Sequence, residues 1–261
     1  MPYNNGRYME NKFVYMLDGV KIKDMNRDAR SFLRNIYGQL DDEEIVRSEL
    51  VQGFRKPDFY VEYKGNRQYI SMKTNTSHTL HEEELESFVK FLKDIGLQNN
   101  VISMLQFLFW GDGSFNGTAK RIFSISEAHM KAPDMTRQFN EMVNENNEII
   151  SKIVNRIIFD GGSTDGVKAD YLLHYRENEI PIVVSQRQMT NYILSKDWHF
   201  KDNPHIGPLQ FSPKAIKPEA KHYEYYRKRI GFWWAHLRED LEYISQRYVN
   251  WERKKTDGLE R

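Results

Sequence analysis

The chain has 261 residues, of which 39% are hydrophobic and 29% charged, and its formal net charge is +1. This composition is typical of a globular protein with a sizeable core, and the near-neutral charge excludes a polycation that binds nucleic acid over its whole surface. The lack of cysteine excludes disulfides and cysteine-ligated metal sites. Because residues 1–12 lack the apolar core of a signal peptide and no apolar run has the length of a membrane span, we expect a cytoplasmic protein with no membrane partner.

The first elements predicted along the chain are a helix and three strands. Residues 24–40 carry apolar side chains at helical spacing, with Asn26 or Asp28 near the start of the helix. Residues 44–54 are typical of a strand, although a continuation of the helix is also compatible with them. The stretch 56–75 predicts two further strands around a turn.

A second helix and a further strand are predicted next. Residues 79–96 have apolar side chains on one helical face, and Thr79 with Glu82 forms a capping-box pattern at the start. The nearly continuous apolar run 101–110 predicts a strand that is buried on both faces. A helix that joins two strands as a crossover implies an α/β fold with a mixed central sheet and flanking helices.

The second half of the chain predicts mainly helical structure. Its long helices are expected over 135–159 and over 219–255, where apolar residues repeat along one face. Residues 169–175 and 180–186 predict another hairpin between them. No low-complexity linker marks a domain boundary.

The stretch 56–75 brings charged side chains together. With a Gly65–Asn66 turn, Asp58 faces Lys73 across the hairpin, and their Cβ atoms are expected to lie roughly 5 Å apart. Ser71 lies on the same face because side chains alternate along a strand. This arrangement is compatible with an ordinary cross-strand ion pair and with a catalytic site.

The hairpin resembles the PD-(D/E)xK nuclease superfamily, since Pro57-Asp58 is followed twelve residues later by Ser71-Met72-Lys73. The predicted elements over 24–110 are also similar to the core of that superfamily, which is helix, three strands, helix, strand. The resemblance implies a restriction-endonuclease-like core in which Asp58 binds Mg²⁺ or Mn²⁺, Met72 contributes its backbone carbonyl, and Lys73 orients the attacking water. A hard cation prefers oxygen ligands and lowers the pKa of a bound water.

The sequence departs from the superfamily pattern at Ser71, which stands where the second metal-binding acid belongs. Some relatives supply that acid from the following helix, which offers Glu82, Glu83 and Glu84 here. Glu83 and Glu84 suit the geometry best, and Glu49 on the preceding element is a further candidate. Without such an acid, the same fold would bind DNA without cutting it.

Two other stretches have functional interpretations. The text "WGDGSFNG" at 110–117 resembles the "GDGSF" of LAGLIDADG homing endonucleases, whose metal-binding acid ends a core helix, and that interpretation requires a helix over 101–110. The stretch 214–229 mixes basic and aromatic residues that are suited to contacts with phosphates and bases. Its candidate DNA-binding residues are Lys214, Lys217, Lys221, Arg227, Lys228 and Arg229.

From these observations we expect a Mg²⁺-dependent DNA endonuclease of restriction or defence type. Residues 1–130 would form the nuclease core, with Asp58, Ser71 and Lys73 at the catalytic centre. Residues 131–261 would form a mainly helical region for DNA binding or dimerisation, and a homodimer is expected by analogy with enzymes that cut both strands. The alternatives are a catalytically inactive DNA-binding or assembly protein on the same fold and a homing-type endonuclease.

Overall fold

The computed structural model describes residues 5–52, 56–74, 79–119, 130, 132–161, 166–198, 203–213 and 221–247. These residues form two compact units, each with its own β-sheet. The first unit draws on 1–77, 158–192 and 236–261, and the second on 78–157 and 193–235. The units interleave along the chain, whereas the sequence suggested a division near residue 130. The roles assigned to the two halves stay predictions.

The helices and strands have the following bounds. In chain order they are α1 (Asn5–Tyr15), a 3₁₀ turn (Ile22–Asp24), α2 (Arg27–Tyr37), β1 (Arg47–Leu50), β2 (Phe59–Tyr63), β3 (Asn66–Thr74), β4 (His81–Glu84), α3 (Leu85–Asp94), α4 (Asn99–Trp110), α5 (Pro133–Asn144), α6 (Asn147–Asn155), a π-helical turn (Arg156–Asp160), β5 (Tyr171–Tyr175), β6 (Ile182–Ser185), α7 (Gln186–Leu194), β7 (His205–Ile206), β8 (Leu209–Pro213), α8 (Tyr223–Tyr226), β9 (Arg229–Trp234) and α9 (237–247). Among the residues that the structure describes, no helix is long and apolar enough to cross a membrane.

The sheet of the first unit is mixed, so the expected α/β class is confirmed. Its strand order is β1-β2-β3-β5-β6. Strand β5 runs parallel to β3, and every other neighbouring pair is antiparallel. The strand that returns beside the hairpin is therefore 171–175, and not 101–110 as predicted. The predicted hairpin of 169–175 with 180–186 is confirmed as β5–β6.

The core of the first unit lies between this sheet and the helices α1 and α2. Asn26 caps α2 as predicted, because its side chain accepts a hydrogen bond from the Ala29 N–H at 2.9 Å. Phe13 of α1 packs edge-on against Phe32 of α2, with ring centroids 5.1 Å apart, and both approach Phe59 of β2. These contacts bury the apolar face of the hairpin, which carries Phe59, Ile70 and Met72.

The second unit is built on an antiparallel sheet with strand order β4-β9-β8-β7. The apolar run 101–110 belongs to helix α4, so the predicted strand is wrong. A continuous apolar run does not distinguish a buried strand from a buried helix. Gly111 decides the outcome, because it adopts a left-handed conformation (φ 59°) that ends the helix, and its N–H bonds the Phe107 carbonyl at 3.1 Å.

Three predicted helices have different bounds in the structure. The helix expected over 79–96 begins only at Leu85, because residues 81–84 pair with β9 instead. The helix expected over 219–255 is wrong over 229–234, where β9 buries Ile230, Phe232 and Trp234 at the two-residue period of a strand. The helix expected over 135–159 is divided at Asn146, whose side chain caps α6.

Candidate active site

The β2–β3 hairpin sets the position of Asp58. Its turn is Lys64–Gly65, with φ values of 48° and 74°, as a type I′ turn requires. The pairing of Tyr63 with Asn66 shifts the register by two residues from the one predicted for a Gly65–Asn66 turn. Because the shift is even, Asp58 stays on the predicted face. Asp58 is nevertheless next to Ser71, and not opposite Lys73 as predicted.

The carboxylate of Asp58 is held by the backbone of β3. Its Oδ2 accepts a hydrogen bond from the Met72 N–H at 2.6 Å, and its own N–H donates to the Ile70 carbonyl at 2.8 Å. These two bonds fix the carboxylate beside the peptide group that links Ser71 to Met72. The structure therefore brings Asp58 next to Ser71 and Met72, and the roles predicted for these residues and for Lys73 stay predictions.

Neither Ser71 nor Lys73 has a polar partner among the described residues. The Ser71 side chain is fully buried, and its hydroxyl oxygen has no hydrogen-bond partner there. Lys73 forms no ion pair or hydrogen bond with any described residue. An ordinary cross-strand ion pair between Asp58 and Lys73 is thus not formed, and a buried hydroxyl without a partner is costly unless something else satisfies it.

Glu10 of α1 is a second carboxylate at this site, and the sequence analysis missed it. Its side chain is only 16% exposed and lies 3.2 Å from the Arg7 guanidinium. Burial, and then the nearby charge of Asp58, raise the pKa of Glu10, while Arg7 and Lys73 act in the opposite direction. A carboxyl whose charged form is disfavoured beside another carboxylate would be stabilised by a cation there.

Lys56 is a second lysine that is electrostatically coupled to this site. Its Nζ donates a hydrogen bond to the Ile158 carbonyl at 2.5 Å. Burial, and then the charge of Lys73, lower the pKa of Lys56 well below its ordinary value, whereas Asp58 and Asp160 raise it. We call Glu10, Lys56, Asp58, Ser71 and Lys73 together the Asp58 cluster.

The acids expected to complete the site have other surroundings. Glu49 lies opposite Tyr60 and accepts its hydroxyl hydrogen bond at 3.0 Å. Glu83 and Glu84 belong to β4 of the second unit, where Glu84 is exposed and Glu83 is buried. The Arg156 guanidinium binds both carboxylate oxygens of Glu83, at 3.1 and 2.6 Å. A metal-binding role for Glu83 or Glu84 stays a prediction, and Glu83 would have to give up this ion pair.

The pKa of Glu83 is consistent with its ion pair. Burial on its own would raise that pKa, but hydrogen bonds from His81 and Arg156 lower it below its ordinary value. Glu83 is therefore held in its charged form by groups of its own unit.

The donor set of the Asp58 cluster fits a hard divalent cation. Asp58 and Glu10 offer carboxylate oxygens, Met72 a backbone carbonyl, and Ser71 a buried hydroxyl that lacks a partner. Within the described ranges, no group of three or more His, Asp or Glu side chains is close enough to hold a metal ion alone. A cation here would thus depend on backbone, hydroxyl, water and substrate oxygens as well.

The Gly-rich loop after α4 is held by Asp112. Its Oδ1 accepts hydrogen bonds from the Ser114 N–H (2.8 Å) and hydroxyl (2.7 Å), and its Oδ2 accepts one from the Ala119 N–H (3.1 Å). The helix that a homing-type interpretation requires is present. However, both oxygens of the acid that would bind its metal are used to shape the loop.

The predicted DNA-binding residues are only partly described. Lys214 and Lys217 lie outside the described residues. Lys221, Arg227 and Lys228 flank α8, and Arg229 is the first residue of β9, in the second unit.

Similarity to known proteins assigns no family to the chain. No protein-family model, no curated protein and no solved structure matches the chain.

Proposed function

We propose that this protein hydrolyses DNA phosphodiester bonds with Mg²⁺ at the Asp58 cluster, as an endonuclease of restriction or defence type. One observation carries the proposal. The Asp58 carboxylate is fixed on the Met72 N–H, the Glu10 carboxylate is electrostatically coupled to it, and the Lys73 ammonium has no ion-pair partner among the described residues. An ion pair that only stabilised the hairpin would instead join Asp58 to Lys73.

The topology of the first unit supports a restriction-endonuclease-like core. Helix α2 precedes the antiparallel strands β1, β2 and β3, and β5 returns parallel to β3. This is the helix, three strands and later strand that the resemblance implies, with the last strand supplied by a more distant part of the chain. The site lies where β2 begins and β3 ends, beside Asp58 and Ser71.

The proposed roles follow from the donor chemistry of the cluster. Asp58, Glu10, the Met72 carbonyl and the Ser71 hydroxyl would hold Mg²⁺, with Mn²⁺ as a substitute. When bound, the cation supplies charge neutralisation for a phosphate and a lowered pKa for water. Glu10 would thereby replace the acid that the sequence lacks at position 71.

Lys73 would act on water and on the phosphate. An unpaired ammonium at the end of β3 is able to hold a water molecule in line with the phosphorus and to stabilise the negative charge that develops on the phosphate oxygens. Lys56 donates a hydrogen bond to the Ile158 carbonyl, and the lowered pKa of Lys56 limits the positive charge that it adds to the same region. Attack by water breaks one phosphorus–oxygen bond and leaves a phosphate and a hydroxyl end.

The direct test is cleavage of supercoiled plasmid and linear DNA with Mg²⁺ or Mn²⁺. We expect Asp58→Asn and Lys73→Ala each to reduce cutting by at least about 100-fold. Lys93→Ala is the matched control, because Lys93 is exposed on α3 and forms no ion pair with a described residue. Cutting that survives both site variants would refute the proposal.

A catalytically inactive DNA-binding or assembly protein is the second candidate, and Ser71 in place of an acid favours it. Such a protein would shift DNA in a gel without cutting it under any metal condition. Thermal unfolding separates the two candidates further, because a cation that binds only the folded chain raises its melting temperature. Mg²⁺ should raise the melting temperature of the wild type but not of Asp58→Asn if the site is active.

A further inference from the structure

The second unit carries a basic and aromatic surface outside the Asp58 cluster. It consists of Lys221, Tyr225, Arg227, Lys228 and Arg229, and we call it the Tyr225 surface. The Tyr225 side chain is 52% exposed. Lys221 and Lys228 are exposed and form no ion pair with any described residue.

The Tyr225 ring is held in place although one side of it is open. The Arg229 Nη1 donates a hydrogen bond to the Tyr225 hydroxyl at 3.1 Å, and its guanidinium carbon lies 5.5 Å from the ring centroid. The Tyr226 ring packs edge-on against it, with centroids 5.1 Å apart. A ring that is fixed before binding loses little conformational entropy when a flat partner stacks on it.

The same surface is fixed to the loop after α4 through Arg227. Its Nη1 donates to the Gly117 carbonyl at 3.3 Å, and its guanidinium carbon lies 5.7 Å from the Trp110 ring centroid. That loop exposes Phe115, whose side chain is 50% accessible. Open aromatic rings therefore occur on both segments that Arg227 joins.

The charge of the Tyr225 surface is positive. Glu224 is paired with Arg227 at 2.7 Å, and Glu82 lies 4.0 Å from Arg229. No carboxylate of the described residues pairs with Lys221 or Lys228. The surface thus combines unpaired cations, which suit phosphates, with a fixed open ring, which suits a nucleobase.

We infer that the Tyr225 surface binds nucleic acid with unpaired bases, such as a single strand or a frayed end. Tyr225 stacks on a base, and Lys221 and Lys228 contact the phosphates on either side of it. In a duplex the faces of the bases are stacked on one another, so no base face is accessible for stacking on the Tyr225 ring. The inference rests on the proposed function and adds to it, because the nuclease would hold unpaired bases at the Tyr225 surface, while cutting of DNA stays with the Asp58 cluster.

The test is fluorescence anisotropy with a labelled oligonucleotide, as a single strand and as a duplex, in EDTA so that no cutting occurs. Tyr225→Ala should weaken single-strand binding about ten-fold, and Tyr225→Phe, which keeps the ring but loses the hydrogen bond from Arg229, should weaken it much less. Lys228→Ala should lower the slope of log affinity against log salt by about 0.7, the value for one phosphate contact with a single strand. Lys93→Ala, in the same unit, should change neither quantity.

The binding measurements have results that would overturn the inference. Unchanged single-strand binding in both Tyr225→Ala and Lys228→Ala overturns the inference, as does a duplex bound more tightly than the single strand with no effect of Tyr225→Ala. Because binding is measured without a metal, it is separate from cleavage. Suppose that these variants lose binding and that the wild type shows no Mg²⁺-dependent cutting. That result would support nucleic-acid binding at the Tyr225 surface and refute the nuclease activity proposed for the Asp58 cluster.

Discussion

His174 should make the protein less stable in mild acid. It lies on β5, is only 6% exposed, and its Nδ1 is 3.5 Å from the Arg238 guanidinium. Burial first, and then the charges of Arg238 and Arg176, lower the pKa of His174 from 6.5 to about 4, and Glu179 and Glu239 offset this only in part. The folded chain therefore keeps the imidazole neutral at a pH where the unfolded chain protonates it.

The size and sign of the effect follow from this shift. Above pH 6.5 His174 is unprotonated in both the folded and the unfolded chain, so it contributes no pH dependence to the free energy of unfolding. As the pH falls below 6.5 only the unfolded state gains the proton, so the free energy of unfolding falls by about 1.4 kcal/mol for each pH unit. The loss is complete below pH 4, where it reaches about 3 kcal/mol.

The assay compares the wild type with His174→Asn by urea unfolding followed by circular dichroism between pH 7 and pH 4.5. Asparagine keeps a neutral acceptor but takes up no proton, so the variant should lose less stability on acidification. We expect the difference in unfolding free energy between the two proteins to change by about 1.4 kcal/mol from pH 7 to pH 5.5. Parallel curves, or an NMR titration of His174 near pH 6.5, would refute the reasoning.

Other predictions concern single contacts. Glu10→Gln should abolish cutting of DNA. It should also raise the free energy of unfolding at pH 7, because the folded chain disfavours the charged form of a carboxyl whose pKa is raised. Urea unfolding measures this change, and a less stable variant would contradict the prediction. Glu83→Gln should cost about 3–5 kcal/mol, because Arg156 stays buried without its carboxylate; a loss under 1 kcal/mol would contradict this. Gly117→Ala should displace the loop after α4, because a Cβ there would lie 2.5 Å from the Trp110 ring, and tryptophan fluorescence should change.

Local signals in the sequence predicted much of the first unit. Asn26 marks the start of α2 because its side chain bonds a free N–H of the first turn. The alternation of apolar and polar residues in 56–75 predicted the hairpin and its faces. Tyr37 helps to explain the error in register, because its hydroxyl lies 2.9 Å from the Val61 carbonyl and 3.0 Å from the Asn66 carbonyl. That contact joins residues far apart in the sequence.

Pairing between distant segments explains the elements that were predicted incorrectly. Residues 229–234 have apolar residues compatible with a helix, but they form β9 because β8 and β4 lie on either side of them. Residues 101–110 show the opposite error, because they were predicted to be a strand and form helix α4. In both cases tertiary contacts, and not local periodicity, select between helix and strand.

The candidate site was predicted only where its residues share one hairpin. Asp58, Ser71, Met72 and Lys73 are close because two adjacent strands carry them. Glu10 comes from a helix that precedes the hairpin by more than forty residues of chain. Its only local signal is its place one helical turn before the buried Phe13, at the edge of the apolar face of α1.

The most direct test of the central claim, that Asp58 and Glu10 share a divalent cation, is calorimetric titration of the wild type with Mn²⁺. We predict about one site per chain, with binding weakened at least ten-fold in Asp58→Asn and in Glu10→Gln and unchanged in Lys93→Ala. Loss in both site variants would place the cation between the two carboxylates. No binding by the wild type, or equal binding by Asp58→Asn, would contradict a metal site at the hairpin.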